Sequence, residues 1–164
     1  MTETRPHHDE MGNRRPATEA YLDQLRATVR DHGWAVQGVF ATETSDQRFD
    51  FVYTVGLIQR GCTAELLIAG IPMRTGAGIL NEIAADMAST GQTIPPAEWE
   101  VADGFVLKAV TFTPRSGHEL HVGAARAYYN APVPVAQYVW PDQQHHYPWD
   151  AEWDARMLQP YGNG

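Results

Sequence analysis

FDFVYTVGLIQRGCTAELLIAGIP, Phe49 to Pro72, holds the two segments that decide the fold. In the first, Phe49, Phe51, Tyr53 and Val55 fall at every second position, the period of a strand with one face on a core. In the second, Glu65 to Ile71 is apolar after its first residue, which reads as a central strand. Pro72 ends it.

Upstream, Trp34 to Phe40 is rich in strand formers, and the polar, turn-like stretch Thr42 to Gln47 joins it to the Phe49 strand as a hairpin with an extended loop. Ahead of that, Tyr21, Leu22, Leu25 and Val29 share one face at three- and four-residue spacing. The pattern predicts a helix from Glu19 to His32, with Thr18 as its N-cap and Gly33 as its stop. Residues 1–16 show no apolar periodicity and are expected to be a disordered tail, leaving 17–164 as a single domain.

Downstream, Ile79, Leu80, Ile83, Ala84 and Met87 mark a second helix that closes at Gly91. TIPPAEWE, Thr93 to Glu100, reads as a loop because of Pro95 and Pro96. Phe105 to Phe112 is a further strand, Val122 to Tyr129 a short helix and Val135 to Trp140 a last strand. The remainder is an aromatic, Pro-rich C-terminal segment expected to wrap the surface. This order of elements predicts an α+β fold: a mostly antiparallel sheet with two or three helices packed on one face of it.

Composition excludes several function classes. The formal net charge is -8, with Lys108 the one lysine and the arginines scattered, so nucleic acid is not an expected partner. No stretch approaches the roughly eighteen apolar residues of a membrane span, and no membrane partner is expected. A polar N-terminus without an apolar leader, together with the single Cys62, points to a cytoplasmic protein. The sequence carries no signal for oligomeric state.

Several segments together resemble a known family. They are FDFVYTVGL at Phe49 to Leu57, ELLIAG at Glu65 to Gly70, LNEIA at Leu80 to Ala84, ARAYYN at Ala125 to Asn130, and QYVWPD with YPWD at Gln137 to Asp142 and Tyr147 to Asp150. Their order and spacing resemble the domain-of-unknown-function family numbered 4262, over Gly33 to Pro160. The resemblance implies a small bacterial intracellular domain and assigns no reaction. Two positions depart from its pattern: Ala64 stands where a proline usually precedes the Glu-Leu pair, and His145 where a glycine usually precedes the aromatic-Pro-Trp segment.

Three motifs invite a chemical reading. HELH places His118 and His121 three apart, a spacing that on a helix lets both hold one divalent metal with a third ligand from elsewhere. On a strand they point to opposite faces, and the motif is shorter than that of the zinc proteases. RTGAGILN, Arg74 to Asn81, suggests an anion cradle between a strand and a helix, although its glycines match neither the P-loop nor the complete dinucleotide fingerprint. Asp142 and Asp150 flank HHYPW near Trp140 and Trp149, where desolvation by indole rings suits a carboxyl to acid–base work and His146 to an orienting pair. Read structurally, Asp142 is a turn residue and Pro148-Trp149 an anchor for the tail.

Thr54 and Glu65 near strand ends, with Tyr53 beside them and Asn81 on the second helix, suggest a cleft. Tyr128 and Tyr129 need no function, and Cys62 reads as an inert thiol. The leading expectation is therefore a cofactor-independent small-molecule domain with an aromatic-lined pocket. Asp142, His146, Asp150 and Glu65 are its candidate catalytic groups, and Tyr53, Thr54, Asn81, Trp140 and Trp149 its ligand-binding ones. The alternatives are a neutraliser-type protein-interaction module with an acidic surface, and a metal site at His118 and His121.

Overall fold

The computed structural model describes residues 8–41, 49–102, 104–115, 118–157, 159, 160 and 162, with side chains from Thr18 onward. In chain order the elements are α1 (His8–His32), β1 (Ala35–Val39), β2 (Phe51–Val55), β3 (Glu65–Ala69), α2 (Met73–Thr90), β4 (Glu98–Ala102), β5 (Phe105–Phe112), α3 (Gly123–Tyr129) and β6 (Val135–Val139). The strands form one sheet in the order β1-β2-β3-β6-β5-β4. Its pairings are antiparallel except that of β3 with β6, which is parallel with Glu65 opposite Val135 and Leu67 opposite Gln137. The fold is α+β, with a mixed sheet and three helices packed on it.

The helices cover both faces, where packing on one face was expected. Leu22, Leu25 and Val29 of α1 and Ala125 of α3 pack with Phe51, Tyr53, Val55, Leu67 and Val135. Ile79, Leu80, Ile83, Ala84 and Met87 of α2 pack with Val52, Leu66, Ile68, Ala136 and Tyr138 on the other side. Adjacent strand residues thus feed opposite cores, as the pleat requires. Every residue of β2, β3 and β6 is consequently buried. Each fully buried aliphatic side chain here contributes roughly 1.5–3 kcal/mol.

Three further elements differ from the sequence reading. α1 begins at His8, upstream of the expected Glu19 and within the stretch expected as a tail. Residues 1–7 of that stretch, and the expected turn from Thr42 to Gln47, lie outside the described residues. Glu98–Ala102, expected within or after a loop, is edge strand β4; only Trp99 of it is even partly buried, so it carries no apolar alternation to read. RTGAGILN lies inside α2 and forms no strand-to-helix loop. A Cβ on Gly76 would meet Ile68 Cγ2 at 2.9 Å and Val52 Cγ2 at 3.0 Å, so this glycine lets α2 approach the sheet closely.

The chain returns to β6 after its last turns. Gln159 and Trp140 exchange two hydrogen bonds, and the buried Gln137 side chain donates to Pro160 O and accepts from Gly162 N–H. No helix among the described residues is long and apolar enough to cross a membrane.

Candidate functional site

β3 begins with a carboxylate that has no solvent exposure. The β2–β3 ladder stops at Tyr53 opposite Leu67, and beyond it the Leu66 N–H donates to Thr54 Oγ1 at 2.9 Å in place of a carbonyl. Into the opening goes the Glu65 side chain. It accepts five hydrogen bonds: from the Thr54 hydroxyl at 2.7 Å, the Gly56, Leu57 and Ile58 N–H groups at 3.0, 3.3 and 3.1 Å, and the Tyr129 hydroxyl at 2.6 Å. Three successive N–H groups at the head of a 3-10 turn, Ile58–Arg60, make a concave anion seat that the chain fills with its own carboxylate. Gly56 has φ 116°, and a Cβ there would lie 2.8 Å from Val29 Cγ1, so the turn needs glycine.

α3 closes this centre from the side. The Tyr129 hydroxyl also accepts from the Gly56 and Gln59 N–H groups at 3.0 and 3.3 Å. Beside it the Tyr128 hydroxyl donates to Gln59 Oε1, the two tyrosine rings meeting edge to face. Glu65 is buried, Tyr128 and Tyr129 half-buried and Gln59 exposed, so the hydrogen-bonded path runs from the core to the surface. Burial pushes the Glu65 carboxyl above its ordinary value, although the Tyr129 and Thr54 hydroxyls and the Ile58 and Gly56 N–H groups pull it back. Burial, then the charge and hydrogen bond of Glu65, push the Tyr129 phenol up as well. The Glu65 carboxyl and the Tyr129 hydroxyl thus share one hydrogen bond at the boundary between the core and the half-buried face of α3.

Beside the same loop, on its α2 side, lies a cavity of 90 Å³ bordered by Leu57, Arg60, Cys62 and Met87. That is well below the roughly 300 Å³ at which pockets for drug-sized ligands begin. Burial, then the Glu65 charge, push the Cys62 thiol above its ordinary value, against the opposing pull of the Arg60 charge.

The other expected site residues lie elsewhere. Because β3 and β6 run parallel, Glu65 sits at the start of the pair and Trp140 just past its end, where the indole N–H donates to Ala69 O at 2.8 Å. The four-residue span from Glu65 to Ala69 corresponds to roughly 13 Å. Asp142, 2% exposed, is a turn organiser: it accepts from the Gln144 and His146 N–H groups at 2.9 Å each and from Asp154 N–H at 3.0 Å. Burial raises its carboxyl, but the N–H groups of His146, Asp154 and Gln144 outweigh this and hold it below the ordinary value. His146 Nδ1 lies 3.5 Å from Asp142 Oδ2 and makes no hydrogen bond among the described residues.

Asp150 accepts from Tyr147 N–H at 2.8 Å. Trp149 is 43% exposed and stacks on the Tyr147 ring at 5.1 Å, while Trp140 is buried against Trp153. These rings form no common pocket wall, because one indole faces solvent and the other the core. Tyr53 is core: its hydroxyl accepts from Ala124 N–H at 3.0 Å, and burial carries its phenol to about 12. Asn81 lies on α2, across the sheet from Tyr129, and accepts from the Trp34 indole N–H at 2.9 Å.

The histidine pair does not sit on a helix. His118 and His121 precede α3, and His118 Nδ1 accepts from Leu120 N–H at 3.0 Å while the His121 ring stands edge-on to Phe51. Among the described residues no three His, Cys, Asp or Glu side chains gather to hold a metal ion.

Glu65 and Thr54 are hydrogen-bonded to each other, with Tyr129 added, but both are fully buried and line no open cleft, and Asn81 is not among them. Sequence reasoning passed over Tyr129 because a tyrosine on a short helix reads as ordinary packing. The sequence signal that was available is that FDFVYTVGL, ELLIAG and ARAYYN each supply part of the centre. The profile of one protein family, described as "Domain of unknown function (DUF4262)", matches residues 28–154. No curated protein and no solved structure matches the chain.

Proposed function

Because the chain belongs to the DUF4262 family, a domain of unknown function, we propose its role from the site itself: it binds a small polar molecule at the Tyr128–Tyr129–Gln59 surface and uses Glu65 and Tyr129 as an acid–base pair. One observation carries this reading. Tyr129 donates at 2.6 Å to a buried carboxyl held above its ordinary value while remaining half-buried itself. A carboxyl perturbed by desolvation and linked to the surface through one hydroxyl is suited to acid–base work.

Thr54 and the Gly56–Ile58 N–H groups hold the carboxyl in place. Asp142 and Asp150 cap turns, and the aromatic, proline-bearing segment after Val139 straps the sheet. In this reading residues 17–164 are one working domain, acting in the cytoplasm with a small molecule as partner and neither metal nor organic cofactor.

The test is a protein-observed NMR screen of small polar metabolites against the wild type and Tyr129→Phe. Binders are expected to perturb the Gln59, Glu65 and Tyr129 resonances and to weaken at least tenfold in Tyr129→Phe, with the variant's circular dichroism unchanged. Binders that ignore the substitution, or a library that leaves those resonances unmoved, would remove the proposal.

A further inference from the structure

β6 carries a polar side chain where packing needs none. Val135 and Val139, its neighbours on the same side of the strand, are apolar, yet Gln137 between them has no solvent exposure. A valine there would pack without a partner, whereas a buried amide calls for hydrogen bonds at both its nitrogen and its oxygen. Both go to one stretch of backbone: Nε2 donates to Pro160 O at 2.6 Å, and Oε1 accepts from Gly162 N–H at 2.9 Å. A second glutamine returns the grip. Gln159, itself buried, accepts from Trp140 N–H at 2.9 Å and donates to Trp140 O at 2.8 Å. Each side-chain amide thus stands in for a peptide unit, bonding backbone as a neighbouring strand would.

We propose that this slot on β5 and β6 is a peptide-recognition site, that the segment bearing Gln159, Pro160 and Gly162 is its built-in ligand, and that a partner polypeptide with the same Gln-Pro-x-Gly pattern displaces it. The occupant follows from what the slot reads. Gln137 bonds a carbonyl and an N–H two residues apart, which an extended polypeptide offers, and as a neutral amide it asks for no charge. Three positions of the segment are specified. Gln159 supplies the return grip on Trp140. Pro160 keeps the residue before it extended and lowers the freedom lost on docking. Gly162 lies against the Phe112 ring of β5, into which an added Cβ would run, and that ring is packed on the His118 ring at 5.4 Å. The segment belongs to no helix or strand among the described residues, so it can leave without dismantling one. A competitor meets a tethered rival at an effective concentration on the order of millimolar.

The experiment is an NMR titration of the isotope-labelled full chain with the synthetic peptide MLQPYGNG, the sequence of residues 157–164, followed through the Gln137 side-chain amide. Gly162→Leu, whose own segment no longer fits against Phe112, is expected to lose the wild-type Gln137 amide signal and to regain it as peptide is added. The wild type should need at least tenfold more peptide, because its tethered segment competes. The same peptide with leucine in the glycine's place should move neither protein. Hydrogen exchange of the wild type answers without a substitution: the Gly162 N–H should be about a hundredfold less protected than the amides of β3 and β6, because the segment opens on its own. A folded Gly162→Leu protein that ignores the peptide at millimolar concentration would overturn the proposal. So would a Gly162 N–H protected as strongly as the central strands, since the segment would then leave only when the whole protein unfolds.

Discussion

Glu65 was legible as an acidic residue opening an apolar strand, and Thr54 as a polar one near a strand end. What the sequence did not carry is that most of the partners of Glu65 are backbone N–H groups of Gly56, Leu57 and Ile58, which no residue type encodes. Substituting Glu65→Gln turns an amide N–H₂ toward donors and strands at least one of them. It is expected to lower unfolding free energy in urea by about 2–4 kcal/mol, the cost of orphaned buried donors. His145 lends itself to the opposite experiment. It occupies the place where the family resemblance suggested glycine, and its φ is 65°, in the left-handed region. His145→Gly should therefore stabilise the protein by about 1 kcal/mol, read from the same urea transitions.

Among the elements, those with a buried face were readable and those without one were not. The alternation of β2 and the apolar run of β3 follow directly from burial, as do the spaced apolar residues of α2. β4 escaped because an edge strand with exposed glutamates has no buried side to pattern. The glycines of α2 misled for a related reason. A glycine that lets a helix sit close to a sheet looks, in one dimension, like a glycine that lets a backbone reach a phosphate. Gly76→Leu separates the two: forced against Ile68 and Val52, it should cost about 1–3 kcal/mol by overpacking in thermal or urea unfolding. A phosphate-cradle role would instead leave stability nearly unchanged. Which face each helix takes was not legible, since either side of the sheet satisfies the same apolar stripe.

For the molecule as a whole, the two carboxyls that are buried among the described residues make opposite contributions to pH dependence. The Asp142 carboxyl is held below its ordinary value when folded, so its stabilisation is present above pH 3.8 and is lost as pH falls through the folded value. The Glu65 carboxyl is held above its ordinary value, so the folded protein binds its proton more readily than the unfolded chain. Its contribution is complete below pH 4.5 and declines as pH rises through the folded value. The stability gap between the wild type and Glu65→Gln should therefore narrow as pH rises from acid toward neutral, and urea unfolding at several pH values measures it. A gap that widened instead would mean that the hydrogen bonds of Glu65 outweigh its burial.

The most direct measurement is a carbon-detected NMR titration of the Glu65 side-chain carboxyl in the wild type. The acid–base pair with Tyr129 requires its midpoint to lie above the ordinary 4.5, with the Tyr129 ring resonances moving in step. A midpoint below that value, with Tyr129 unmoved, would make Glu65 a permanently ionised structural staple and contradict the proposed chemistry.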